Sequence, residues 1–132
     1  MSTTEFDAMK NKVMVEVTGK VGHDVMRFIS EDKTQFNFEH YQDCCERVQI
    51  NDIVGDLKDL IGSPILTAEE TTDSINNKPE DAECFTWTFY TFTTAKGTVT
   101  VKWLGESNGC YSERVSFSVI APPKDPPILF DI

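Results

Sequence analysis

A chain of 132 residues can bury one core but not two. Its 12 Lys and Arg against 22 Asp and Glu give a net charge of −10, which argues against duplex DNA or RNA, whose binding rests on clustered cations. No apolar run approaches the roughly 18 residues of a membrane span, so no membrane role is expected.

The start, MSTTEFDAMKNK, is polar and lacks the basic-then-apolar layout of a secretion signal, so an intracellular protein is expected. VMVEV (13–17) alternates Val13, Val15 and Val17 on one face of a half-buried strand. GHDVMRFIS (22–30) reads as a second strand, and EDK (31–33) as a polar turn into a third. In that third strand, TQFNFEH, Phe36, Phe38 and His40 share one face, with Asn37 and Glu39 on the other. Over 51–62 the apolar period changes: Ile50, Ile53, Val54, Leu57, Leu60 and Ile61 recur at three and four, predicting an amphipathic helix. Asn51 or Asp52 would cap it, and Gly62 with Pro64 would end it.

PILTAEETTD (64–73) reads as a strand and SINNKPEDAE (74–83) as a loop. The strongest β signal is CFTWTFYTFTTAKGTVTVKWLG (84–105), two aromatic and threonine-rich runs joined through AKG as a hairpin. In the first run Phe85, Trp87 and Phe89 face one way, and Thr86, Thr88 and Tyr90 the other. RVSFSVI (114–120) alternates Val115, Phe117 and Val119 as a last strand. The tail APPKDPPILFDI is proline-rich and should run extended. The expected fold is α+β: an antiparallel meander sheet with one central amphipathic helix packed on a face, as a single domain over 1–120, then a tail over 121–132.

Two polar clusters carry the candidate chemistry. The first, HYQDCCE, holds His40, Asp43, Cys44, Cys45 and Glu46. His and Cys suit zinc, but structural zinc sites use C-x₂₋₄-C pairs and these cysteines are adjacent, so no metal is expected. A thiol nucleophile needs a lowered pKa, whereas Asp43 and Glu46 flank the thiols and would raise it. With no secretion signal, Cys44, Cys45, Cys84 and Cys110 are all expected as free thiols. The bland reading is a strand end in which His40 continues the Phe36 and Phe38 face.

The second cluster, WLGESNGCYSERV (103–115), sets Ser107, Asn108, Tyr111, Ser112, Glu113 and Arg114 in a turn between strands. A tight loop explains it as well as a ligand site does. Neither G-x-G-x-x-G nor a phosphate-loop G-K-[ST] is present, and no cofactor is expected.

Together the blocks HYQDCCE, GDLKDLIG, WTFY and WLGESNGCYSE resemble, in the same order, a family of small, largely uncharacterised phage and bacterial proteins. The likeness spans about residues 26–120 and departs at Cys110, where the family more often has tyrosine. It implies a phage setting, in which small non-enzymatic proteins counter host defence by binding signalling nucleotides or defence proteins.

The leading expectation is therefore a binding module that sequesters a nucleotide-like signal intact, in the cytoplasm of an infected host. Its site would comprise His40, Asp43, Glu46, Trp103, Ser107, Asn108, Tyr111, Ser112, Glu113 and Arg114. Tyr111 and Trp103 would stack a base, while Arg114, Lys102 or Arg47 would offset phosphate charge. The alternatives are an inhibitor that binds a host defence protein, and a nucleotide hydrolase using Asp43, His40 and Glu113. The apolar tail residues Ile128, Leu129 and Phe130 suggest a homodimer.

Overall fold

The computed structural model describes residues 4–41, 45–76, 78–79, 82–108 and 113–122, with side chains from Phe6 onward. Eight strands are present among the described residues: β1 (Met14–Thr18), β2 (Val25–Ser30), β3 (Gln35–Glu39), β4 (Glu46–Val54), β5 (Thr67–Asp73), β6 (Cys84–Thr94), β7 (Gly97–Ser107) and β8 (Ser116–Ile120). They form two antiparallel four-stranded sheets, ordered β1-β2-β3-β8 and β4-β7-β6-β5.

The sheets pack face to face through aromatic rings. Phe28 of β2 meets Phe92 of β6 at 4.8 Å between centroids, and Phe38 of β3 meets Tyr90 of β6 at 4.7 Å. Met26, Phe36, Val48, Ile50, Val99, Val101 and Trp103 belong to the same core. Alternate residues of the two inner faces interdigitate, as in other face-to-face sheet packings. One flank is closed by Phe6, from a 3-10 turn at Thr4–Met9, which packs on Phe38, Tyr90 and Phe117. The other is closed where Gly22 N–H donates to the Ile50 carbonyl and Ile50 N–H to that of His23, both at 2.8 Å. No helix among the described residues is long and apolar enough to cross a membrane.

The α+β expectation is corrected. Among the described residues no helix reaches seven residues, and the expected amphipathic helix at 51–62 does not form. β4 runs through Val54 instead, with its register against β7 shifting between Ile50 and Asp52. A bulge adds one residue to a strand and resets its alternation, so Ile50 and Ile53 are three apart yet both reach the core side. That spacing imitates a helix. Gly55 then turns the chain at φ +110°, where an added Cβ would lie 2.7 Å from the Thr98 carbonyl oxygen. Only the 3-10 turn Leu57–Leu60 follows, capped by the Asp56 side chain accepting from Lys58 N–H at 2.9 Å.

β1 differs similarly. Met14 is fully buried and Val15 is half exposed, because the register shifts between Met14 and Glu16. The hairpin of β6 and β7 forms as read, with Tyr90 and Phe92 inward and Trp87 and Phe89 on the outer face. Apart from Ala121 and Pro122, the tail expected over 121–132 lies outside the described residues.

Candidate functional site

The two polar clusters meet at one end of the sandwich. The β4 and β7 ladder pairs Glu46 with Ser107, and Asn108 N–H continues it by donating to the Cys45 carbonyl at 3.2 Å. β3 delivers His40 from the opposite sheet, and the segment entering β8 delivers Glu113 and Arg114.

His40 is 8% exposed and uses both ring nitrogens. Nδ1 lies 2.7 Å from the Arg114 carbonyl oxygen and Nε2 lies 2.9 Å from Glu46 Oε2. A carbonyl only accepts, so Nδ1 carries a proton. The contact on Nε2 then shares one further proton between imidazole and carboxylate. Burying this pair is tolerable because each member satisfies the other.

Glu113 forms the second half of the network. Its Oε1 accepts from Thr86 Oγ1 at 2.8 Å, and its Oε2 accepts from Ser107 Oγ. Gly105 permits this: an added Cβ would stand 2.7 Å from the Glu113 carbonyl oxygen and 2.8 Å from Glu113 Cβ. The backbone of residue 113 therefore rests directly on the β7 strand, with no room for a side chain between them.

Outside this network lies a cavity of about 280 Å³ bounded by Glu46, Arg47, Glu106, Ser107 and Asn108, with Cys45 and Ala82 in its wall. A wider groove of about 750 Å³ adjoins it between residues 22–25 and 46–49. Asn108 Oδ1 accepts from Glu83 N–H at 3.1 Å, which fixes the amide and leaves its Nδ2 donor without a partner among the described residues. Arg47 and Glu106 face each other across the ladder, yet neither makes a hydrogen bond or ion pair among the described residues. The cavity thus presents a guanidinium, a carboxylate and an amide donor that are not engaged among the described residues.

Of the residues singled out from sequence, His40, Glu46, Ser107, Asn108, Glu113 and Arg114 gather here. Asp43, Tyr111 and Ser112 lie outside the described residues, as do Cys44 and Cys110. Trp103 is withdrawn from the site. Its ring is fully buried in the core between Ile50 and Thr88, its Nε1 has no partner among the described residues, and no face is open for stacking. The alternation Val99, Val101, Trp103 was the sequence signal for that burial. Glu106 and Thr86 were not anticipated, since only the strand register places them at this end. Lys102 lies further along the outer face, opposite Phe89 and Asp52, and does not line the cavity.

The free-thiol expectation is also corrected. Cys45 and Cys84 are both disulfide-bonded, and no described cysteine is free. Both stand at this end, Cys45 in the cavity wall and Cys84 opposite Ser107. Among the described residues no group of three His, Cys, Asp or Glu could hold a metal ion.

Fold and site define an antiparallel β-sandwich with a buried carboxylate–imidazole–hydroxyl network closing one end and a small polar cavity beside it. The chain belongs to the DUF7448 family, a domain of unknown function, whose model matches residues 7–117. No curated protein matches the chain, and no solved structure does.

Proposed function

We propose that this protein is a binding module that captures a small nucleotide-like ligand in the cavity beside Asn108 and holds it unchanged. The reading rests on one observation: Arg47, Glu106 and the Asn108 amide donor surround a cavity of about 280 Å³ without partners among the described residues. A guanidinium matches a phosphate in bidentate fashion, a carboxylate accepts from an exocyclic amine or ribose hydroxyls, and an amide N–H₂ donates to a ring nitrogen or carbonyl. The volume suits one nucleotide unit better than a whole cyclic dinucleotide. Charge-assisted contacts contribute about 1.5–3 kcal/mol each, so a few of them can support micromolar binding after the cost of association.

Mutual satisfaction within the His40–Glu46 and Ser107–Glu113 contacts favours a scaffold over an acid–base pair. The resemblance to phage and bacterial proteins supports an anti-defence role in the cytoplasm of an infected host. Disulfides at Cys45 and Cys84 would be under reducing pressure there, so binding should be measured with and without reductant.

The test is incubation with mononucleotides, cyclic di- and trinucleotides and cyclic ADP-ribose isomers, followed by chromatography before and after heating. Depletion, then recovery of the same molecule, is expected, and Arg47→Ala should weaken it about tenfold or more. No depletion of any candidate overturns the reading. A new product peak replaces it with hydrolysis by the His40, Asp43 and Glu113 set.

A further inference from the structure

Two four-stranded sheets have four edges, and three of them are defended. β4 is covered at Ile50 by the Gly22–His23 backbone and is irregular after Ile50. β1 carries an irregularity after Met14, whose carbonyl accepts from Gly62 N–H, and Val13 bridges to Pro64. β5 presents Glu69, Glu70 and Asp73. Bulges, covering segments and charge are the usual means of keeping an edge from pairing with another strand.

Among the described residues β8 has none of these. Ser116–Ile120 pairs with β3 on one side in unbroken register, and its residues make no other hydrogen bond among the described residues. Val119 and Ile120 are 46% and 49% exposed, and Phe117 is only partly covered. From Val115 to Pro122 the sequence carries no charge, in a chain of net charge −10. Like-charge repulsion between two copies is therefore weakest at this edge.

We propose that β8 is a homodimerisation edge, pairing antiparallel with β8 of a second copy to join two β1-β2-β3-β8 sheets into one. The strand is self-complementary. A register centred on Ser118 sets Ser116 against Ile120 and Phe117 against Val119, so each exposed valine meets a half-covered phenylalanine across the two-fold. It also leaves Pro122, which cannot donate to a ladder, beyond the paired residues. Five residues a side is a small contact, so the dimer forms with increasing concentration and is not obligate. This proposal uses β8 alone and is independent of the ligand site.

Sedimentation over a wide concentration range should show a monomer–dimer equilibrium. Val119→Lys and Ile120→Lys, both at exposed positions, should each shift the dimer constant by tenfold or more while thermal melting confirms the fold. Hydrogen exchange at residues 116–120 should slow as concentration rises in the parent chain and not in the variants. A chain that stays monomeric to about millimolar concentration overturns the proposal. So does a dimer unaffected by either lysine, or one in which exchange slows elsewhere.

Discussion

His40 Nε2 and Glu46 Oε2 stand 2.9 Å apart, joining the end of β3 in one sheet to the start of β4 in the other. Their side chains are 6% and 0% exposed. Removing one partner of such a pair strands the other without water, at a cost of about 3–5 kcal/mol. We expect His40→Ala to be destabilised by that amount in chemical denaturation. His40→Phe combined with Glu46→Leu should recover much of the loss, because neither apolar replacement leaves a buried charge. A loss below about 1 kcal/mol in the single variant would show that the pair is not the clamp between sheets.

Gly105 allows Glu113 to lie against β7. A methyl group there would meet backbone at 2.7 Å, too close for a flexible neighbour to yield. Gly105→Ala should cost about 1–3 kcal/mol by overpacking. It should also speed hydrogen exchange at residues 113–115, as Glu113 lifts away from Thr86 and Ser107. Unchanged exchange there would separate the glycine from the network.

Arg47 and Glu106 have no hydrogen bond or ion pair among the described residues, so their loss should leave stability within about 0.5 kcal/mol. Arg47→Ala and Glu106→Gln are therefore expected to melt like the parent while losing ligand affinity. A stability change above about 1 kcal/mol would mean that these groups support the fold and not a guest.

Cys45 and Cys84 should resist thiol labelling until a reductant is added, and mass mapping under non-reducing conditions should find both in bridged peptides. Reduction should lower stability by about 2–5 kcal/mol per native bridge. Immediate labelling of either cysteine in the folded, untreated protein would contradict the structure.

Asp32 lies at the β2–β3 turn, where the Lys12 ammonium, followed by the Ser30 hydroxyl and Thr34, holds its carboxyl far below the usual carboxylate range. A carboxyl depressed in the folded state adds stability above its unfolded value, near 3.9, and that contribution fades as pH falls from there toward the folded value. The stability gap between the parent and Asp32→Asn should therefore be full near neutrality and shrink below about pH 4. A gap constant from pH 7 to pH 2 would assign the effect to neutral hydrogen bonding.

Period-two alternation is a local property, and the sequence alone carried it. Phe36, Phe38 and His40 share the buried face expected of them, and the hairpin of residues 84–107 declares itself through its aromatic alternation and short turn. The same local signal misleads where a bulge intervenes, so the step from Ile50 to Ile53 counts as helical although the chain is extended. Which face of a strand is inner depends on the sheet packed against it, which is why Trp103 went to the core while Trp87 stayed outside. Only the tertiary structure set β4 beside β7 and carried His40 across from the other sheet. It did the same for Cys45 and Cys84 and for the cavity trio of Arg47, Glu106 and Asn108. These contacts join residues up to 74 positions apart, as in the bond from His40 to Arg114. Their distances follow from sheet order and strand register, which no periodicity within one segment encodes.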